Sequence, residues 1–309
     1  MNKFKYTLDN KRYHTLNYFF KTYFNEKVFK VSLNQNFTCP NIDGTKGYGG
    51  CTYCLNGSND NDLSMNLKEQ FESVKNTLLK KWPNSKYIAY FQANTNTYGP
   101  LNILKSNCEE VLSYDNVIGL FISTRCDAIN EEVLDYLSEL NKKTFLVVEV
   151  GLQTIHESTS KLINRCHTLN EFDNMVYKLK ERNIKVLVHI INGLPYETKD
   201  MMIETVKHIN KLNIWGIKIH MLHILKGTGL NNMYQKNKFD ILSKEDYIDV
   251  VIKQLEVLNE KIVINRITGD PIKELLVEPT WLIKKFCLLN DIDIEMKKRD
   301  TYQGKFKEF

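Results

Sequence analysis

Apolar and polar positions alternate in two rhythms along the chain. Short runs such as VFKVSL (28–33), KYIAYFQ, NVIGLFIS, TFLVVEVG, IKVLVHII and WGIKIHML have strand length and are rich in β-branched and aromatic residues. Between them lie longer stretches with helical spacing, among them LKEQFESVKNTLLKK (67–81), a segment from Leu101 to Leu112, EEVLDYLSEL, EFDNMVYKLKERN and EDYIDVVIKQLEVLN. Strand followed by helix, repeated six times, predicts right-handed β-α units around a parallel sheet. The expected fold is therefore α/β, a full or partial parallel (βα)6 barrel over residues 28–260. A helical extension would precede it over 1–27, and an extension over 261–309 would close it.

Buried parallel strands are usually continuous apolar runs. Several here carry polar residues toward their carboxyl ends, at alternate positions: Tyr90, Gln92 and Asn94; Glu149 and Gln153; His189; Lys218 and His220. Period two puts each set on one face of its strand. If Ile217, Ile219 and Met221 pack outward against helices, Lys218 and His220 point into the barrel, where unpaired polar groups cost roughly 1–3 kcal/mol each. Their convergence at the end where such folds keep their active sites predicts a ligand cavity.

The first predicted strand runs into CPNIDGTKGYGGCTYC (39–54), with three cysteines and four glycines in a loop too polar for a core. The thiols serve either a metal or a disulfide. The chain holds seven cysteines, an odd and uneven set. Its opening MNKFKYTLDNKRYHTL lacks a signal-peptide core, and no apolar run is long enough to span a bilayer. These features favour a cytoplasmic protein without membrane attachment, and a metal or cluster over a disulfide framework. Cys39, Cys51 and Cys54 leave one site of a four-iron cluster open. Zinc is the alternative, with His14 or another distant residue as fourth ligand. Cys108, Cys126, Cys166 and Cys287 stand alone, and small buried hydrophobes are the ordinary role for such residues.

The segments FTCPNIDGTKGYGGCTYC, YFQANTNTYGP, VEVGLQTIHESTSKLINRCHT, VHIINGLPYET, KIHMLHILKGT, INRITGDPIKELL and RDTYQGK together cover nearly the whole chain. In them the sequence resembles the radical S-adenosylmethionine superfamily, most closely its YhcC-type family. That family is related to the radical domains of the Elongator catalytic subunit and of anaerobic coproporphyrinogen oxidase. The first gap between cysteines is eleven residues in place of the superfamily's usual three, while Cys51 and Cys54 keep the CxxC spacing with the aromatic Tyr53 before the last thiol. The resemblance implies that Cys39, Cys51 and Cys54 hold a [4Fe-4S] cluster whose fourth iron chelates S-adenosylmethionine. A reduced cluster then cleaves the sulfonium to a 5′-deoxyadenosyl radical that abstracts hydrogen from substrate.

The same resemblance assigns cofactor contacts to Glu149 and Gln153 near the ribose and methionine, to Arg165 on the methionine carboxylate, and to His189 near the ribose hydroxyls. Ile191 and Gly193 would lie against the adenine. The superfamily's glycine-rich contact after the second strand is not recognisable; Gln92 and Asn94, in QANT, take its place. Three residues at the mouth of the third strand are candidates for substrate contact or catalysis: Arg125, Asp127 and, as a hydrogen-atom donor, Cys126, whose ordinary reading is packing. Arg266 and Asp270 are similar candidates.

An electron donor such as flavodoxin or ferredoxin is the implied partner. Transfer RNA is the implied substrate, because the resemblance points to the wobble-uridine side chain. A small molecule and a non-catalytic zinc- or cluster-containing RNA-binding role are the alternatives. The net charge of +5 is mild. Lysines and arginines cluster at both ends, at Lys3, Lys5, Lys11, Arg12 and Lys21 and at Lys297, Lys298, Arg299, Lys305 and Lys307. They fit either a solvated surface or an RNA footprint.

Overall fold

The computed structural model describes residues 3–55 and 64–307. Its centre is a seven-stranded parallel sheet of β1 (Val28–Leu33), β2 (Lys86–Phe91), β3 (Val117–Thr124), β4 (Phe145–Gln153), β5 (Lys185–Asn192), β6 (Gly216–Met221) and β8 (Val263–Arg266), paired in that order. The strand order ends on β1 and β8, so the barrel is partial. The expected boundary at 260 falls short, because β8 lies beyond it and pairs with β6 from Gly216↔Val263 onward. At four residues, β8 is too short to stand out by periodicity.

Helices cover the outer face: α2 (Leu67–Leu79), α3 (Leu101–Leu112), α4 (Glu131–Lys143), α6 (Leu169–Glu181), α7 (Lys199–Lys211) and α9 (Lys244–Val257). Their starts follow from local chemistry. Asn66 with Glu69, and Thr168 with Glu171, form reciprocal capping boxes that satisfy otherwise orphaned backbone donors. In α4 the Asn130 side chain accepts from Val133 N, and acids in the first turn with Lys142 and Lys143 in the last complement the helix dipole. Against these helices the strands turn their odd or even set, for example Ile217, Ile219 and Met221 of β6, into the main core.

The opposite set faces inward and is layered. At the amino end Val28, Ile88, Phe121, Phe145, Val147 and Leu187 form a second apolar cluster. It is closed from below by α1 (Leu16–Tyr23), with Phe19 edge-on to Trp215 at 5.1 Å and Phe24 edge-on to Phe145 at 5.2 Å. The N-terminal extension is therefore part of the barrel interior. Hydrogen bonding continues the join, since Ile264 N donates to His14 O and Thr15 bridges Ile264.

The C-terminal segment carries a small antiparallel pair, β7 (Ile224–Leu225) with β9 (Leu276–Glu278), then α10 (Lys285–Lys298). The two ends of the chain are stapled together near the start of β8. Lys3 and Arg12 pair with Asp300, Lys5 and Lys307 with Glu260, and Lys11 with Asp293. Lys298 and Arg299 pair with Glu295 on their own helix, and Arg299 also meets Asp249. The charge clusters seen in the sequence are thus largely matched by acids at the amino end of the barrel.

Candidate active site

Above the aromatic floor the inward positions become charged. Glu149 of β4 is 3% exposed; it accepts from Tyr90 Oη of β2 at 2.8 Å and from Lys218 Nζ of β6 at 2.9 Å. Ser123 Oγ of β3 donates to the same tyrosine oxygen at 3.0 Å. Burial alone pushes the Glu149 carboxyl up, but Lys218, His189 and Lys30 outweigh it and hold it at about 2. Lys30 of β1 lies over the Tyr90 ring at 4.6 Å and donates to Asn265 Oδ1 at 2.9 Å, spanning the gap between the first and last strands. Burial, with Lys218 and Arg266 nearby, lowers the Lys30 ammonium to about 7 despite Glu149.

The next layer is a row of imidazoles. His189 and His220 have ring centroids 5.3 Å apart, and His220 and His223 are 4.8 Å apart. Burial lowers all three, His189 to about 3 and His223 to about 4, so the row is neutral at physiological pH. His189 Nδ1 is 3.7 Å from Glu149, but burial and Lys218 keep the ring uncharged, so this contact is not an ion pair. The buried Nε2 atoms of His189 and His223 and the Oε1 of Gln153 have no hydrogen-bond partner. Gln153 has φ of +64° at the irregular end of β4, and its amide folds back over Gly151, where a Cβ would sit 2.6 Å from Gln153 Nε2. Glycine is the residue that leaves this space.

The cysteine loop caps the carboxyl end. Asn41, fully buried, donates from Nδ2 to Asn164 O at 2.5 Å and approaches Cys51 Sγ at 3.4 Å. Asn164 donates to Gly50 O at 2.8 Å, Thr52 N to Ile163 O at 2.9 Å, and Leu230 N, near the start of α8 (Gly229–Lys236), to Thr52 O at 2.7 Å. A Cβ on Gly47 would collide with Asn41 Oδ1, which accounts for glycine there. The loop is thereby fixed against the segment after β4, far from it in sequence.

All three thiols line one cavity of about 600 Å³, together with Tyr53, Gln92, Asn94, Glu149, Gln153, Arg165, His189 and Ile191. Lys218, His220, Arg266 and Asp270 line it too. Burial pushes Cys51 and Cys54 up, Cys54 to about 12, with the neighbouring thiols adding to the effect. Cys51 and Cys54 therefore rest as neutral thiols, and a bound cation is what would take them as thiolates.

Other residues depart from expectation. Gly193 does not line the cavity; its φ of +84° serves the turn after β5, with Leu242 beside it. Cys126 is 2% exposed and packs in the main core, so its role as a hydrogen-atom donor to substrate has no geometric support. Arg125 does face the cavity, gripped by Asp127 through two 2.9 Å bonds, and its charge acts on Cys51 against the rise caused by burial. Asp127 is the residue that holds it there.

Arg165 is the largest fully buried side chain. Its Nε and Nη2 donate to His167 O at 3.0 and 2.7 Å, and its Nη1 to Leu152 O and Thr154 O at 2.8 and 2.5 Å. Four donations to backbone carbonyls leave little of the fork for a ligand carboxylate. Arg165 is instead a clamp between the end of β4 and the segment that fixes the cysteine loop. Nothing in the residue pattern signals this, because the partners are main-chain oxygens.

The donor set fits a thiolate-bound iron-sulfur cluster: three cysteines on one wall, a cation at Cys51, and orphaned polar atoms deeper in the cavity for a small-molecule ligand. His14 supplies no fourth zinc ligand. Its ring stacks on Tyr6 at 4.9 Å beside the backbone of Glu260 and Lys261, at the opposite end of the barrel. Among the described residues no group of three or more His, Cys, Asp or Glu side chains is placed to hold a single metal ion, and none of the helices is long and apolar enough to cross a membrane.

A partial parallel barrel with three cysteines above a polar interior defines a class, and the family comparison agrees with it. Residues 45–209 match the radical SAM superfamily model and residues 214–298 the Radical_SAM C-terminal domain, so this chain belongs to the radical SAM superfamily and is a radical SAM enzyme. It is 48% identical over 308 residues to the uncharacterized protein YtqA of Bacillus subtilis, covering 99% of this chain and 96% of that one. It is 30% identical over 273 residues to protein YhcC of Escherichia coli, covering 87% of each. Over 156 residues it is 25% identical to the tRNA uridine(34) acetyltransferase of Methanocaldococcus infernus, spanning 50% of this chain but 29% of that protein. The fold is shared with the solved Elp3 of that archaeon at a TM-score of 0.67 and 17% identity, covering 90% of this chain and 64% of the other.

Proposed function

We propose that this radical SAM enzyme modifies transfer RNA at the side chain of the wobble uridine. The observation that carries the reading is the similarity of half the chain to a tRNA uridine(34) acetyltransferase. In this reading Cys39, Cys51 and Cys54 hold a [4Fe-4S] cluster, and S-adenosylmethionine binds between it and the imidazole row. When bound, the pair supplies hydrogen-atom abstraction from an unactivated carbon. An electron donor such as flavodoxin or ferredoxin feeds the cluster.

The protein's own groups would then have distinct tasks. Arg125, fixed by Asp127, balances thiolate charge. The Gln153 oxygen is an acceptor for an ammonium or hydroxyl of the cofactor. Neutral imidazoles at His189 and His223 exchange hydrogen bonds with ligand without bringing charge. The aromatic floor keeps water from entering from below. A substrate base would have to be splayed out of its loop to reach this depth.

One observation favours a small-molecule substrate instead: the basic chain ends are paired with acids at the end of the barrel away from the cavity. Nucleosides from transfer RNA of cells with and without this gene separate the two readings. A wobble-uridine mass that changes on deletion, and is restored in vitro only with S-adenosylmethionine and reductant, supports RNA. Unchanged nucleosides, with no extra 5′-deoxyadenosine released when unmodified transfer RNA is added, would leave the small-molecule reading.

A further inference from the structure

The floor of the cavity carries more positive charge than the cofactor-facing end can use. Arg125 is matched by Asp127, Arg165 by Glu157 at 3.8 Å, and Asp270 at the rim by Lys285 at 2.6 Å. What remains is a trio from three strands, Lys30 of β1, Lys218 of β6 and Arg266 of β8, gathered closely enough to act on one another's charge. Among the described residues, the carboxylate bonded within this trio is Glu149, held by Lys218. With all three protonated, one anion against three cations leaves a surplus of two; with Lys30 neutral, a surplus of one.

Uncompensated charge in an enclosed space is expensive, and native interiors pair or neutralise it. Here the surplus faces a cavity. Asn265 Oδ1 accepts from Lys30, and its own buried Nδ2 has no partner. The orphaned Nε2 atoms of His189 and His223 border the same space.

We propose that this chamber is an anion site that receives a carboxylate group of the substrate, beneath and separate from the cysteine end. A carboxylate is the class assigned because Arg266 offers a planar fork suited to its two oxygens. Anion binding draws a proton onto Lys30, whose ammonium is held low by burial, Lys218 and Arg266 and supported by Glu149. The inference rests on the radical-enzyme assignment and does not depend on transfer RNA being the substrate.

The test is calorimetric titration of sodium acetate into the reconstituted, cluster-containing protein saturated with S-adenosylmethionine, in chloride-free buffer. One acetate per chain is expected at pH 6, binding more weakly at pH 8.5, where Lys30 has lost its proton. Arg266→Gln should weaken acetate at least tenfold while leaving cluster absorbance and S-adenosylmethionine binding as in the wild type. Lys30→Met should weaken acetate at pH 6 and abolish the pH dependence, which keeps the idea testable if the arginine variant does not fold. Absence of saturable acetate binding, or wild-type affinity in either variant, overturns the site. Inorganic phosphate binding more tightly than acetate overturns the carboxylate assignment. Competition between acetate and S-adenosylmethionine would show that the charge belongs to the cofactor's own carboxylate, which also overturns it. None of these outcomes bears on the RNA reading, since no RNA is present.

Discussion

Lys218 Nζ and Glu149 Oε1 meet at 2.9 Å across the intervening strand β5, both nearly inaccessible, in the middle of the barrel interior. Breaking a buried pair leaves an uncompensated charge, typically at a cost of about 3–5 kcal/mol. Lys218→Met is expected to lose stability in that range on urea denaturation, and Lys218→Met with Glu149→Gln to recover much of it. A loss under 1 kcal/mol in the single variant would mean that the pair is hydrated.

The same carboxylate sets an acid limit. Its folded value of about 2 lies below its ordinary 4.5, so the unfolded chain binds more protons between these values. The contribution of Glu149 is complete above the upper value and is lost as pH falls toward the lower one. Wild type should therefore lose stability more steeply than Glu149→Gln between pH 4.5 and 2. Parallel curves would contradict the depressed value.

Ser replacement of Cys39, Cys51 or Cys54 should abolish the brown absorbance of anaerobically reconstituted protein, which should carry about four irons per chain. Replacement of Cys108, Cys166 or Cys287, none of which lines the cavity, should leave it. A colourless wild type holding stoichiometric zinc would refute the cluster.

Arg165→Ala is expected to behave as a folding variant. It strips donors from the carbonyls of Leu152, Thr154 and His167, each costing about 1–3 kcal/mol when buried and unpaired. Lysine, a point donor in place of a fork, should restore little. Wild-type urea stability in Arg165→Ala, with S-adenosylmethionine affinity alone reduced, would return this residue to the cofactor.

Gln153→Ala should keep the cluster and bind S-adenosylmethionine at least tenfold more weakly, about 1.4 kcal/mol. Gly151→Ala should do the same by pushing the Gln153 amide out of its place. Equilibrium binding on the oxidised cluster measures both, and unchanged affinity in both variants would remove Gln153 from the cofactor site.

The alternation of Ile217, Ile219 and Met221 with Lys218 and His220 was readable because a strand's period of two leaves no other way to bury the apolar set. The strand-helix order and the three-thiol wall were legible for similar reasons: each is a local pattern. Arg125 and Arg165 were not. Arg125 follows strand β3 and Arg165 follows the short helix Glu157–Leu162, and neither setting shows in the sequence, yet one is turned to the cysteines by a neighbouring aspartate and the other is absorbed by carbonyls around it. The pairing of the terminal lysines was hidden for a related reason. Charge counts are blind to partners such as Glu260 and Asp300, which only the closed chain brings near.

The floor laid by α1 also carries a kinetic meaning. Phe19, Phe20 and Phe24 are synthesised well before Phe121, Phe145 and Trp215 that receive them. Contacts so distant in sequence cannot form until several β-α units are in place. During synthesis this aromatic helix must wait uncovered, so the nascent chain carries an exposed apolar, chaperone-attracting segment until the sixth strand arrives.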